Sequence, residues 1–388
     1  MVNIDLMNKE ELKNYFNCPI QKIKESNVKN HITSQIKELD FINNITTNTQ
    51  VYYTPSQLQT AYGLNLLTGS NSTKLGYGQK ICVVIAYHYR NLQNDLNVFS
   101  QRFNLPSTTL HITTLGTQSN SGWAMECCLD VQMIHSIAPY ATIYVIEAAS
   151  SSLTDMRSAV QYANNLGVNI ISMSWGSNEY SSQSSFDSVF SNSSICYCCS
   201  SGDVSDGVNY PSSSKNCLAI GGSTLLLNSN NTRKNETIWS SSGCGLSQYT
   251  IKPTWQTGLN LSSNYRSTPD ICLVGDPSTG AVIYYNGNYY IVGGSSLSCP
   301  IMAGILTVTN QFRLTNNKPV LTTVGTSNYL IQKYLYQNIY GNNTLYTNNL
   351  FDITSGIDGI YSPSTKFDIC SGLGSLKCNT LIPSLAGF

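Results

Sequence analysis

The chain has 388 residues, enough for two or three ordinary domains or for one large α/β domain. Only 11% of the residues are charged, and 21 basic residues balance 21 acidic ones, so no electrostatic attraction to nucleic acid or to an anionic membrane is expected. The apolar fraction of 41% can supply a core, and no apolar stretch approaches the ~20 residues of a membrane-spanning helix.

The first fifty residues differ in pattern from the rest. Charged and apolar residues recur at helical spacing over Lys9–Tyr15 and Ile32–Leu39, and an Asn/Thr-rich linker follows from Asn43 to Thr49. This pattern predicts a short N-terminal arm, residues 1–50, ahead of one large domain, residues 51–388. The first residues have no basic patch followed by an apolar run, so no secretory signal is predicted.

From about Tyr52 onward, short apolar runs alternate with longer amphipathic stretches. The apolar runs are predicted to be buried strands: Ile81–Tyr87, Thr142–Ile146, Val168–Ser174, Ile195–Ser200 and Leu218–Gly221. The amphipathic stretches are predicted to be helices: Leu92–Phe103, Trp123–Ser136, Leu153–Asn165 and Ser181–Phe190. Such alternation is typical of a parallel sheet with helices on both faces, a three-layer α/β architecture. A ligand site is then expected at the carboxyl ends of the strands.

Thirteen cysteines occur at irregular spacing, including two adjacent pairs, Cys127-Cys128 and Cys198-Cys199. Neighbouring cysteines rarely bridge each other, and no two CxxC units indicate a zinc site. The pattern therefore predicts mostly free thiols that pack as small apolar groups. Cys370 and Cys378 are the one pair that we consider a candidate disulfide.

A glycine turn leads directly into an apolar helix near residue 296. Pro300 fits the first turn of that helix, where the amide groups have no partner within the helix. Those free amides and the positive end of the helix favour negative charge on a serine at the helix start. Ser296 is therefore a candidate nucleophile. The alternative is that Ser295, Ser296 and Ser298 only cap the helix.

A serine nucleophile usually relies on a histidine base. None of the four histidines lies in a sequence of the His-Gly-Thr-His type, and His31 falls in the arm. His135 continues an apolar helix, where a structural role is expected. A histidine-dependent site would require His88, His111 or His135 beside the serine.

Glu126 and Asp130 offer another way to manage the proton. Four residues apart, they lie on the same face of a helix, one turn from each other, and their neighbours are apolar. Two carboxyl groups buried together share protons, with one pKa raised and the other lowered, so a glutamate can serve as a base in acid. The alternative is a solvent-facing acidic pair, which is frequent on helices.

Asp203 follows Gly202 just after the predicted strand Ile195–Ser200. An aspartate in a Gly-Asp turn often serves only the turn. Its position at the carboxyl end of a strand nevertheless makes Asp203 a candidate site residue.

These motifs, taken in chain order, resemble those of the sedolisins, or serine-carboxyl peptidases, which share the subtilisin fold. The resemblance runs from about Tyr53 to the C-terminus. The segments that carry it are Thr54 to Gly63, the Glu126 and Asp130 pair, Ser172 to Gly176, Gly202-Asp203, Tyr210 to Thr224, Pro269 to Gly280, and Gly294 to Pro300. Ser295 and Leu297 depart from the Thr and Ala that are usual in the nucleophile signature.

The resemblance implies a serine peptidase that works in acid. Ser296 would attack the peptide carbonyl group, and Glu126, oriented by Asp130, would take the proton. Asp203 would be kept neutral so that it can donate a hydrogen bond to the developing oxyanion. An imidazole base would be charged at low pH and useless, which explains the lack of a base histidine.

The resemblance also implies one structural calcium ion in the C-terminal region. The expected ligands are oxygen atoms of Asp352, Ile353, Ser364, Lys366 and Asp368, since calcium prefers hard oxygen ligands. Ser364 and Lys366 stand where glycines are common in the family. A lysine beside a cation is unfavourable unless its side chain points outward.

By the same resemblance, Ser174, Trp175 and Gly176 would line the cleft that binds a peptide or protein substrate. The chain is expected to be a monomer without nucleic-acid or membrane partners, in an acidic or extracellular compartment. Endopeptidase and tripeptidyl-peptidase activity both fit. The rival interpretation is a sedolisin-fold protein that has lost activity and serves in binding or structure.

Overall fold

An eight-stranded sheet forms the centre of the structure. The computed structural model describes residues 52–326 and 328–388, so the predicted arm, with its two helical segments and linker, lies outside the described residues. In chain order the strands are β1 (Lys80–Ala86), β2 (His111–Thr114), β3 (Thr142–Ala148), β4 (Ile170–Met173), β5 (Ser177–Asn178), β6 (Cys196–Ser200), β7 (Asn209–Tyr210), β8 (Cys217–Leu227), β9 (Arg233–Ile238), β10 (Gly245–Ile251), β11 (Tyr265–Thr268), β12 (Ile271–Val274), β13 (Ala281–Tyr285), β14 (Asn288–Val292), β15 (Leu350–Phe351) and β16 (Ser375–Leu376).

Seven strands of the central sheet are parallel, in the order β12-β8-β6-β4-β1-β3-β2. β9 adds to β8 in antiparallel orientation. All five predicted strands are confirmed as members of this sheet. Strands β4, β6 and β12 are buried at every residue and β1 at all but its first, as expected where both faces are covered.

The α-helices of the described chain pack around this sheet. They are α1 (Pro55–Ala61), α2 (Leu92–Arg102), α3 (Ser121–Ile137), α4 (Leu153–Ala163), α5 (Ser295–Thr315), α6 (Ile331–Lys333), α7 (Asn343–Asn349) and α8 (Cys378–Gly387). Three of the four predicted helices correspond to α2, α3 and α4. The start of α3 is stabilised by Asn120, whose side-chain oxygen accepts hydrogen bonds from the amides of Gly122 and Trp123 at 3.0 and 3.2 Å.

The fourth predicted helix, Ser181–Phe190, is instead a 3₁₀ segment over Gln183–Val189. The serine side chains explain the difference, because they hydrogen-bond to the backbone within this stretch. Ser185 Oγ donates to the carbonyl of Ser182, and Ser188 Oγ donates to the carbonyl of Ser185. Such local bonds compete with α-helical geometry.

The crossover that carries α3 has an uncommon hand. From β1 to β2 the chain moves one way across the sheet, and from β3 to β4 it moves the other way, so right-handed crossovers put α2 and α4 on opposite faces. Helix α3 packs against α2 and therefore lies on the same face of the sheet as α2. Its own crossover, from β2 to β3, nevertheless runs across the sheet in the same direction as the crossover that carries α4. The β2–α3–β3 crossover is therefore left-handed, and α3 lies beside α5 rather than beside α4.

Helices α3 and α5 pack closely where they meet at Gly304. A methyl group at Gly304 would lie 2.8 Å from Cβ of Ile137 and 3.0 Å from its Cγ2, closer than carbon atoms normally approach. Glycine at this position thus allows the two helices to touch. Within residues 52–326 and 328–388, no helix is both long and apolar enough to cross a membrane.

The cysteines of the described chain are all free and buried, which agrees with the prediction of mostly free thiols. They are Cys82, Cys127, Cys128, Cys196, Cys198, Cys199, Cys217, Cys244, Cys272, Cys299, Cys370 and Cys378. The candidate disulfide between Cys370 and Cys378 is therefore not formed in the structure. Burial raises the pKa of these two thiols, which keeps both groups uncharged.

Candidate active site

Ser296 lies in the first turn of α5, as the glycine turn predicts. Gly294 precedes the helix with a φ of 108°, in the left-handed region that favours glycine, and its amide bonds to the carbonyl of Gly275. Ser296 is fully buried, and its hydroxyl oxygen lies 3.5 Å from the carbonyl oxygen of Ser174. Neither Ser295 nor Ser298 caps the helix, because their hydroxyl groups bond to other segments.

Glu126 and Asp130 are both fully buried on α3, so the alternative of a solvent-facing acidic pair is wrong. Burial raises the pKa of Asp130 well above its usual range, and the Glu126 carboxyl raises it further. The hydroxyl of Ser174 acts in the opposite direction, since it donates to Asp130 Oδ1 at 2.5 Å. Asp130 is therefore neutral over a wider pH range than an exposed aspartate.

The segment after β4 connects the acid pair to the serine. The side chain of Ser174 bonds to Asp130, while its Oγ also lies 3.5 Å from the carbonyl oxygen of Ser296. Trp175 is buried and donates from its indole nitrogen to the carbonyl of Val84 in β1 at 2.9 Å. This bond fixes the segment to the sheet. One side chain, Ser174, thus contacts both the carboxyl helix and the start of α5.

Asp203 follows β6 and contacts the residue just before Ser296. Its Oδ1 accepts hydrogen bonds from the amide of Ser295 at 2.8 Å and from the hydroxyl of Ser295 at 2.7 Å. Gly202 has a φ of 111° and donates to the same hydroxyl at 3.1 Å. Asp203 is 7% exposed, whereas Glu126 and Asp130 are not exposed at all.

A chain of contacts thus connects all four predicted catalytic residues. Asp130 interacts electrostatically with Glu126 and reaches the backbone of Ser296 through Ser174, and Asp203 reaches Ser296 through its neighbour Ser295. The group lies at the carboxyl ends of β4 and β6 and at the amino end of α5. A buried hydroxyl, a carboxyl pair that can share a proton, and an aspartic acid beside a helix start can together support acyl transfer.

The described histidines do not replace the carboxyl pair. His88 Nδ1 bonds to the buried Glu147 at 2.7 Å, and His111 stacks on Tyr144 with ring centroids 4.8 Å apart. His135 bonds to the carbonyl of Pro106, and burial lowers its pKa to about 4. Among the described residues, the hydrogen bonds of Ser296 involve no histidine.

Two interactions were missed by the sequence analysis. The side chain of Ser295, noted only as a possible cap, contacts Asp203 directly. Glu147, at the carboxyl end of β3, accepts hydrogen bonds from the amide of Tyr89 and the hydroxyl of Thr114 as well as from His88. A charged residue near the end of a buried strand was the available signal for Glu147, whereas nothing in the sequence distinguishes Ser295 from a cap.

The expected calcium ligands come together in the C-terminal region. Tyr346 donates to Asp352 Oδ1 at 2.8 Å, and burial together with the carboxylates of Asp352 and Asp368 raises the pKa of Tyr346. The amide of Lys366 donates to Asp352 at 2.9 Å, and that of Ser364 to Asp368 at 3.2 Å. The loop that carries residues 364 and 366 therefore runs between the two carboxylates.

The donor set fits a hard cation. Ile353, whose carbonyl is an expected ligand, is buried next to Asp352. Lys366 has a φ of 70°, the left-handed region that favours glycine, and its ammonium group donates to the side-chain oxygen of Asn343. Its positive charge is thus directed to another residue. No group of three His, Cys, Asp or Glu side chains that could hold a metal ion exists in the described chain, but two carboxylates with backbone carbonyls do not need one.

Comparisons with known proteins identify similar chains. The family model described as "Subtilase family" matches residues 72–351. The sedolisin of a Pseudomonas species is 36% identical over 132 residues, 30% of this chain and 22% of that protein. Tripeptidyl-peptidase 1 of Dictyostelium discoideum is 27% identical over 352 residues, 81% and 56% of the two chains. Kumamolisin of a Bacillus species is 28% identical over 282 residues, which are 64% of this chain and 49% of that protein.

The chain thus spans about half or less of the length of these curated relatives. A solved structure is also similar: Pseudomonas sedolisin, a serine-carboxyl proteinase complexed with two molecules of pseudo-iodotyrostatin. It superimposes with a TM-score of 0.75 at 23% identity and covers 88% of this chain and 99% of that one. At this identity the likeness shows the fold alone, and it confirms the predicted subtilisin-like α/β architecture.

Proposed function

Because the chain belongs to the subtilase family and, within it, to the sedolisins, we propose that it is a serine-carboxyl peptidase that hydrolyses peptide bonds in acid. The observation that carries this proposal is the buried carboxyl pair, whose Asp130 is bonded to Ser174 and through it to the start of α5. A buried acid pair of this kind exchanges a proton at low pH, where a histidine is already charged.

In the proposed mechanism, Ser296 Oγ forms a bond to the peptide carbonyl carbon while its proton passes to Glu126. Asp130 shares that proton and holds Glu126 in place. The carbonyl oxygen becomes an oxyanion, which neutral Asp203 stabilises by donating a hydrogen bond. When the C–N bond breaks, Glu126 returns the proton to the leaving amine, and a water molecule then releases the acyl group by the same steps.

The substrate is proposed to bind along Ser174, Trp175 and Gly176, at the carboxyl end of β4. The anchored indole of Trp175 gives this segment a fixed position. A peptide or protein is the proposed substrate, and an acidic compartment is the proposed location, since neutral Asp203 favours low pH. Peptides with free and with blocked N-termini distinguish tripeptidyl-peptidase from endopeptidase cleavage.

We also propose one structural calcium ion held by Asp352, Asp368 and the carbonyl groups of Ile353, Ser364 and Lys366. Tyr346 donates a hydrogen bond to Asp352, and the carboxylate of Asp368 is near enough to help raise the pKa of the same tyrosine. This ion would stabilise the C-terminal loops and would take no part in the chemistry.

The proposed activity is tested with a denatured protein substrate at about pH 3 to 5. The wild-type chain should cleave it, and Ser296→Ala should lower kcat by at least about a thousandfold, because the nucleophile is lost. Glu126→Gln should cause a similar loss, since an amide cannot accept the proton. Equal and very low rates for the wild type and Ser296→Ala would instead support an inactive protein that keeps the fold.

A further inference from the structure

The hydroxyl of Ser295 lies between two neighbouring residues of the loop after β6. It accepts a hydrogen bond from the amide of Gly202 at 3.1 Å and lies 2.7 Å from Asp203 Oδ1. The amide of Ser295 also donates to that same oxygen, at 2.8 Å. Ser295 is fully buried and belongs to the first turn of α5, next to Ser296. A single residue thus contacts Asp203 twice, through its backbone and its side chain.

The direction of the hydroxyl bond follows from these contacts. An amide can only donate, so Asp203 Oδ1 must act as an acceptor towards Ser295 N–H. A proton on Oδ1 would compete with that amide hydrogen. The hydroxyl of Ser295 therefore donates to Oδ1 as well, while its lone pair accepts from Gly202. With two donors on Oδ1, the proton of a neutral Asp203 belongs on Oδ2.

We propose that Ser295 is a positioning residue that fixes which oxygen of Asp203 carries the proton. The inference rests on the proposed function, in which neutral Asp203 donates to the oxyanion. By occupying Oδ1 twice, Ser295 selects the rotamer and tautomer in which Oδ2–H is the donor. Rotation of the carboxyl group would otherwise exchange its two oxygens, and a donor in the wrong place contributes little to catalysis.

The hydroxyl also has an effect of known sign on the titration of Asp203. A donor to a carboxyl oxygen favours the charged form, so removing the hydroxyl should raise the pKa of Asp203. Asp203 would then stay neutral to higher pH, and the alkaline limb of kcat should move upward. Asp206 lies on the same loop as Asp203, and Asp358 and Cys244 interact with Asp206. All three groups are unchanged in the variants.

The experiment compares Ser295→Ala, Ser295→Thr and Ser298→Ala with the wild type. Ser295→Ala should lower kcat about 10- to 100-fold with little change in KM and should shift the alkaline limb up by about one pH unit. Ser295→Thr keeps the hydroxyl and should restore both properties. Ser298→Ala removes a buried hydroxyl of the same turn, which within the described chain donates to the carbonyls of Leu273 and Val274, so it should leave the alkaline limb in place.

If activity depends on Ser296 but Ser295→Ala leaves both kcat and the alkaline limb unchanged, the inference is overturned and the proposed function stands. The same shift in Ser298→Ala would overturn it too, since the effect would then reflect packing alone. A second measurement does not need activity: ¹³C-carboxyl titration by NMR, with Asp203→Asn to assign the signal. Asp203 should titrate at higher pH in Ser295→Ala than in Ser295→Thr, and identical titrations would refute the inference even if the wild type proved inactive.

Discussion

Asp130 has its carboxyl group buried beside a second carboxyl group and bonded to a serine hydroxyl. Burial is the largest cause of its raised pKa, and the contribution of Glu126 is next. The hydrogen bond from Ser174 lowers the pKa but does not outweigh the other two. At the residue scale, this competition makes a neutral, proton-sharing acid the favoured state of the pair.

The raised pKa of Asp130 predicts how its substitution changes stability with pH. An aspartate with a raised folded-state pKa contributes stability at low pH, and this is lost as pH rises above its unfolded value of about 4. Asp130→Asn is neutral at every pH, so its free energy of unfolding should fall less steeply than the wild type's as pH rises above about 4. Urea unfolding at a series of pH values measures this, and parallel curves would contradict it.

At the scale of whole elements, the contact between α3 and α5 is the decisive one. It brings the helix that carries Glu126 beside the helix that carries Ser296, and it depends on the left-handed crossover into β3. Gln132 adds a second connection, because its side chain bonds to both the amide and the carbonyl of Tyr284 in β13, at 2.8 and 2.6 Å. The hairpin of β13 and β14 leads directly into α5.

The close contact at Gly304 predicts that Gly304→Ala will separate α3 from α5. Overpacking against Ile137 should cost about 1–3 kcal/mol, while the better helix propensity of alanine returns about 1 kcal/mol. We expect a net loss of about 1 kcal/mol in the free energy of unfolding and a lower kcat, because the acid pair moves relative to the serine. Gly258→Ala has open space around its methyl group and is the matched control. Equal stability of the two variants would contradict the prediction.

For the molecule as a whole, buried acids with a raised pKa increase the free energy of unfolding at low pH relative to higher pH. Burial raises the pKa of Asp270 despite the nearby Arg266, and it raises the pKa of Asp358 to about 7. Each contributes stability that is lost as pH rises above about 4. His135 acts in the opposite sense, because its depressed pKa of about 4 costs stability as pH falls below about 6.5. Four carboxyl groups of the described chain with a raised pKa, Asp130 and Asp368 included, outnumber this single histidine.

The proposed calcium ion would stabilise the same molecule from its C-terminal loops. Added calcium should raise Tm by several degrees, and a chelator should reverse the change, because the ion binds the folded chain only. Asp352→Asn and Asp368→Asn should abolish the increase, whereas Asp155→Asn, far along the chain on α4, should keep it. Calorimetry with and without calcium measures the effect, and an unchanged Tm in the wild type would refute the proposal.

The amino-acid sequence by itself determined the alternation of strands and helices, since side-chain periodicity records which faces are buried. It also singled out Ser296, Glu126, Asp130 and Asp203, because a glycine turn before a helix, a carboxyl pair among apolar neighbours and a strand-end aspartate are local patterns. It overestimated one helix, at Ser181–Phe190, where serine side chains bond to the local backbone.

Only the tertiary structure decided how these local patterns meet. The hand of the β2–α3–β3 crossover determines which helices become neighbours. The contact at Gly304 and the two hydrogen bonds from Ser295 to Asp203 each connect segments that are far apart in the chain. Local periodicity carries no information on such contacts, because it reports whether a side chain is buried and not which distant group it touches.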